Sequence, residues 1–160
     1  MKGDVGWSSA DYILNSSLEN MDTHTCGGSF EISNTSLKYM NVQYATTALF
    51  INNTLSTKAM DKITTSSHTL NVGIFPVENQ TFTINADYYT TNLKSERGQL
   101  FLDILYRRSL PKQKTDIEVN CLNLLNNKTY TTLYSSDYSI IRNYFQMRPR
   151  QVLLTVRFKF

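Results

Sequence analysis

The sequence predicts an all-β chain, an antiparallel up-and-down meander of about eight strands. Three observations predict it. Ser, Thr, Asn and Tyr are abundant, while the 160 residues include 6 Gly and 3 Pro, a composition suited to strands. No window carries a helical apolar stripe. In several segments apolar residues instead recur at every second position, and successive strand side chains point to opposite faces.

The last eleven residues show the pattern most fully. Val152, Leu154, Val156, Phe158 and Phe160 form one apolar series, and Gln151, Thr155, Arg157 and Lys159 fill most of the other, with Leu153 the one interruption. Upstream, a weakly alternating segment from Asp4 to Ser17 carries Trp7 and Tyr12 and ends in the polar stretch Glu19 to Asp22. Cys26 to Asn34 puts Phe30 and Ile32 on one face, and a turn near Thr35 to Lys38 follows. Met40 to Phe50 sets Val42, Tyr44, Ala48 and Phe50 against Asn41, Gln43 and Thr47.

A polar connection from Asn52 to Ser67 leads to His68 to Phe75, where Leu70, Val72 and Ile74 alternate with Asn71 and Gly73. After a turn at Pro76 to Gln80, Thr81 to Tyr88 is the cleanest alternation, with Phe82, Ile84, Ala86 and Tyr88 on one side. Beyond a polar loop from Thr90 to Gly98, Leu100, Leu102, Ile104 and Tyr106 oppose Asp103 and Arg107. Pro111 to Gln113 turns the chain into Ile117, Val119 and Cys121 opposite Asp116, Glu118 and Asn120. Residues from Thr131 to Gln146 extend the last two strands into a tall hairpin with its tip near Asp137.

Length and charge bound the class. One unit spanning residues 1–160 is expected, with no linker or repeat. The net charge is +3 without a basic run, which argues against a nucleic-acid partner. Apolar runs are far shorter than the roughly 20 residues of a membrane-spanning helix. Met1 to Asp4 leads into no apolar secretory core, so the chain reads as cytoplasmic or as a piece of something larger. Cys26 and Cys121 have no metal-ligand spacing and read as unpaired strand residues.

Short turns near Thr35, Val77 and Lys112 alternate with longer polar connections near Asn20, Lys58, Arg97 and Asp137. Combined with strands of about ten residues, this is the grammar of a transmembrane outer-membrane β-barrel. Trp7, Tyr12, Tyr39, Tyr88, Tyr89, Tyr106, Tyr130 and Phe158 fall near strand ends, where interfacial aromatic girdles sit, although strand propensity alone also favours Tyr and Phe. Turn-centred pairing places Arg107 opposite Asp116, Glu118 opposite Arg157 and Asp116 opposite Lys159. These charges would share a lumen face, each pair contributing about 0.2 to 1 kcal/mol.

Two segments carry a resemblance. Asn123-Leu124-Leu125-Asn126-Asn127-Lys128-Thr129-Tyr130 resembles the N-L-F-[ND]-x-K-x-Y segment on the penultimate strand of TonB-dependent outer-membrane receptors, with Leu125 where Phe is usual. Arg148-Pro149-Arg150-Gln151-Val152 through Phe160 is similar to their closing strand. The resemblance spans about Gln99 to Phe160. It implies the C-terminal part of a 22-strand nutrient-uptake barrel, without its plug and N-terminal strands, in the outer membrane of a Gram-negative bacterium. Implied partners are outer-membrane lipid, the rest of the barrel and plug, and the barrel-assembly machinery reading Val152, Leu154, Val156, Phe158 and Phe160. Transport by this chain alone is not expected, and the ligand is open among glycan, siderophore, haem and peptide.

Other chemistry finds little footing. His24 and His68 lack a neighbouring Cys or carboxylate at ligand spacing. Asp103, Asp116 and Glu118 sit beside basic partners rather than in an acid–base pair. No phosphate loop or nucleophile elbow is present, so neither an enzyme nor a bound cofactor is expected. The sequons at Asn15, Asn34, Asn52, Asn79 and Asn127 follow from an Asn- and Thr-rich composition. Two other readings are a complete eight-stranded barrel, whose first and last strands would pair, and a soluble β-sandwich carbohydrate-binding module with apolar faces packed together.

Overall fold

From Lys2 to Leu122 the strands of the main sheet lie antiparallel in chain order, apart from one two-residue strand. The computed structural model describes residues 1–56, 58–59, 62–92, 98–135 and 140–159. The sheet has nine strands, in the order β1 (Lys2–Leu14), β2 (Ser17–Asn34), β3 (Met40–Leu55), β5 (Ile63–Ile74), β6 (Gln80–Thr91), β7 (Gln99–Leu110), β8 (Thr115–Leu122) and β11 (Gln151–Phe158). The two-residue β4 (Lys58–Ala59) pairs with β3 off this path. A separate two-stranded sheet joins β9 (Thr129–Ser135) to β10 (Ile140–Gln146). The all-β antiparallel meander expected from the sequence is present, and the described residues contain no α-helix.

The sheet is open. β1 and β11 stand at opposite ends of the order and do not pair, so the closure that a complete eight-stranded barrel requires is not made among the described residues. Each edge leaves a row of backbone donors and acceptors without a neighbouring strand.

Several boundaries differ from the alternation-based reading. Glu19 to Asp22 is strand rather than connection, because the chain reverses at Asn15 and Ser16 with φ of 49° and 67°. Two successive positive-φ residues make the primed two-residue turn whose twist matches a hairpin. Asn52 to Leu55 and Ile63 to Ser67 are also strand, because hydrogen-bonded ladders accept polar side chains on both faces. The tall final hairpin is broken: β8 pairs with β11 and β9 with β10, in separate sheets. Its tip near Asp137 lies outside the described residues.

Alternation and register sort the side chains into two faces. Val42, Tyr44, Leu70, Val72, Ile84, Leu102, Ile104, Val119, Cys121, Val152 and Leu154 share one face with Trp7 and Phe82. Many of them are open to solvent, with Trp7 and Val152 each 66% exposed. Across the sheet, Gln43, Asn71, Asn85 and Asp103 form one rung of the polar face. The buried residues of this sheet, Met21, Asn53, Ile63 and Asp116, all lie on the polar side. Among the described residues no element covers the apolar side, and the few fully buried side chains lie on the other, an arrangement unlike that of a sheet packed on a core. Cys26 and Cys121 are unpaired and sit on the apolar face.

Candidate functional site

The charged residues singled out from the sequence meet at the short-turn end of the polar face. Arg107 Nη2 lies 3.4 Å and Lys159 Nζ 2.9 Å from Asp116 Oδ2, and Arg157 Nη2 lies 3.7 Å from Glu118 Oε2. Ser109 Oγ donates to Asp116 Oδ1. The three ion pairs anticipated from turn-centred pairing are therefore made, but diagonally. Directly opposite stand Arg107 and Glu118, Ser109 and Asp116, and Arg157 and Asp116. Each register is offset by two residues from the expected one, and an offset of two keeps every side chain on its face. Diagonal neighbours remain within reach of long side chains.

The offset in the last hairpin has a visible source. Between β8 and β9 the chain spends six residues, 123–128, whereas 147–150 between β10 and β11 is four. The two extra residues belong to the Asn123 to Tyr130 motif. Asn123 and Asn126 take φ of 50° and 58°, a left-handed conformation that Asn tolerates better than most residues. Asn126 N donates to Asn123 O at 2.8 Å, closing a tight turn around Leu124 and Leu125.

The motif ties that turn to three segments. The buried Asn123 side chain donates through Nδ2 to Asn127 O and Arg148 O, both at 2.8 Å, and accepts from Asn127 N at 2.9 Å. Asn123 N donates to Asp103 Oδ1 at 2.7 Å. β7 stops pairing with β8 beyond Ile104, and the motif takes over its upper edge: Leu124 N donates to Leu102 O at 2.8 Å and Asn127 Nδ2 to Leu100 O at 2.5 Å. Asn126 Oδ1 accepts from Arg150 N at 3.1 Å. Lys128 is exposed, and its carbonyl accepts from Met147 N.

These bonds bring the base of the β9–β10 hairpin, at Tyr130 and Thr131, against Gln99 and Phe101 of the polar face. Gln99 reads the backbone of the buried Thr131 like a strand partner, donating through Nε2 to its O at 3.3 Å and accepting from its N at 3.0 Å. Tyr130 meets Phe101 and Tyr89 edge-on at 5.5 and 6.4 Å and stacks on Phe145 at 6.2 Å. Gln99, Phe101 and Tyr89 all belong to the polar face, so Tyr89 and Tyr130 join an aromatic cluster on that face and not the apolar side where a girdle is expected. Tyr12 also falls on the polar face, and Trp7 sits in mid-strand.

At the base of the hairpin lies a cleft of about 320 Å³, lined by the rings of Tyr89, Phe101 and Tyr130 and by Ser67, His68, Thr69 and Asp87. Thr69 Oγ1 donates to Asp87 Oδ1 at 2.8 Å, orienting the carboxylate. Nothing in local alternation indicates this cleft, because it forms where β5, β6 and β7 meet Tyr130 and Met147 at the base of the β9–β10 hairpin. A second hollow of about 380 Å³, lined by Ser33, Asn41, Gln43, Asn71 and Thr83, opens nearer the short turns.

His68 falls by register on the apolar face, and it also borders the cleft. Its Nδ1 is 2.8 Å from Tyr44 Oη and 3.0 Å from Thr46 Oγ1, and its ring stacks between Tyr44 and Tyr88. Beyond this row the same face turns polar, through Ser66, Thr64, Asn52 and Asp22. The row therefore bounds the apolar band on one side, as Tyr106 and Phe82, 4.5 Å apart, do near the short turns.

Val152, Leu154, Val156 and Phe158 form the apolar side of the edge strand β11 and are all exposed. Phe160 lies outside the described residues. No family model, curated protein or solved structure matches this chain.

Proposed function

We propose that the chain is the C-terminal part of an outer-membrane TonB-dependent receptor barrel, with the apolar face toward lipid and the polar face lining a nutrient-uptake lumen. The observation that carries this reading is the inverted two-sidedness of the sheet: its apolar face is broad and uncovered, and its buried residues lie on the polar side. β5, β6 and β7 are 12 residues each. At about 3.4 Å per residue and a tilt near 45°, such strands cross roughly 29 Å, about the thickness of a bilayer core.

The open edges support a segment of a larger barrel over a complete small one. The preceding strands and plug would come from the rest of the receptor, and uptake would require them. On this reading the exposed apolar series of β11 is the part presented to the barrel-assembly machinery. The sandwich reading has less support, because no second sheet covers the apolar face among the described residues.

Refolding into detergent micelles and lipid vesicles, beside plain buffer, tests the proposal by circular dichroism and protease protection. Strand content and protection gained only with detergent or lipid are expected. A soluble monomer that melts cooperatively in plain buffer would replace this reading with the sandwich.

A further inference from the structure

We infer that the cleft at the base of the β9–β10 hairpin binds a neutral saccharide, with the polar face continuing as a path for a chain of sugar units. This deepens the receptor reading and rests on it for treating the polar face as a lumen. The cleft's own chemistry selects the ligand class.

Its volume of about 320 Å³ falls at the small end of ligand pockets, which are mostly apolar with a few placed polar groups. Tyr89, Phe101 and Tyr130 are half-buried, and each is held by ring contacts with its neighbours. Such rings suit the C–H face of a pyranose ring. Asp87 is exposed and lines the cleft, with Thr69 holding one carboxylate oxygen. A carboxylate is an acceptor only, and sugar hydroxyls are the donors it matches.

Charge narrows the choice further. On the polar face, β3, β5 and β6 carry a single charged side chain, Asp87; the other positions are mainly Thr, Ser, Asn and Gln. No Lys or Arg lines either hollow, and the one histidine at the cleft, His68, stacks its ring between Tyr44 and Tyr88. An anionic ligand would meet Asp87 without a counter-charge. A small cation would find aromatic faces and a carboxylate in the cleft but no acid in the second hollow. An uncharged, hydroxyl-rich chain fits both, since amides and hydroxyls each donate and accept.

The test is binding of the detergent-folded full chain to an array of neutral gluco-, manno-, galacto- and xylo-oligosaccharides. Uronic-acid oligomers and immobilised choline serve as comparators. Retention on at least one neutral class is expected, unchanged between low and high salt and weakened about ten-fold or more by Asp87→Ala and by Tyr130→Ala. Asp87→Ala removes an exposed side chain, so it keeps the test informative if Tyr130→Ala misfolds. Selective retention on uronic acids or choline, or no retention by a chain that has inserted into vesicles, overturns the inference while leaving the receptor reading intact. Saccharide binding by a chain soluble in plain buffer supports the cleft and overturns the membrane reading.

Discussion

Lys159 reaches past the residue beside it to meet Asp116, Nζ to Oδ2 at 2.9 Å, although Arg157 is the direct cross-strand partner of that aspartate. Arg107 approaches the same oxygen from β7, also diagonally. The Asp116 carboxylate thus joins three strands at the short-turn end of the sheet. Asp116→Ala is expected to lower the urea midpoint of the folded chain by more than either Arg107→Ala or Lys159→Ala, because it leaves two cations and Ser109 without their shared acceptor. Equal losses from all three variants would contradict this shared role.

Asn123 combines a left-handed backbone with three side-chain hydrogen bonds. Asn123→Gly and Asn123→Ala both remove those bonds, at about 1 to 3 kcal/mol. Alanine alone also bears the left-handed strain, about 1 kcal/mol more. The expected order of unfolding free energies is wild type, then glycine, then alanine. Amide exchange should show β9 and β10 losing protection in both variants while β5 and β6 retain theirs.

Ser16 occupies the second position of the first hairpin turn at φ 67°, where glycine is favoured. Ser16→Gly is expected to stabilise the hairpin by about 0.5 kcal/mol, the relief of left-handed strain partly offset by the greater freedom of an unfolded glycine. A rise of a degree or more in melting temperature supports the turn assignment, and a fall counts against it.

Ile84 and Asn85 are neighbours on β6 that face opposite sides. If the apolar face meets lipid, Ile84→Arg costs about 2 to 4 kcal/mol of membrane folding energy near the bilayer midplane. Asn85→Arg, facing the lumen, costs little. Folding titrations in vesicles should separate the two variants clearly, and equal effects would remove the lipid-facing assignment of the apolar side.

Much of the fold was legible in local alternation. Thr81 to Tyr88 and Val152 to Phe158 are strands because apolar and polar side chains alternate with the pleat. The ion partners of Asp116 and Glu118 were also readable, since parity survives a register error of two. Less legible were Glu19 to Asp22 and Ile63 to Ser67, polar stretches that become strand through ladder hydrogen bonds with neighbouring strands. Tyr89 and Tyr130 read as girdle residues because strand-end position does not reveal which face an aromatic joins.

The strand class and the division into an apolar and a polar face are written in the residues alone, because a period of two is a local property of the chain. The residues of the Asn123 motif were visible there too. That the motif inserts two residues, moves the register of β8 and β11, and sets Tyr130 against Phe101 on the polar face emerges from the folded chain. Whether the sheet's ends meet, and whether a cleft exists, depend on residues far apart in the chain. Those relations come from strand pairing and hydrogen bonds between distant segments, which side-chain alternation does not encode.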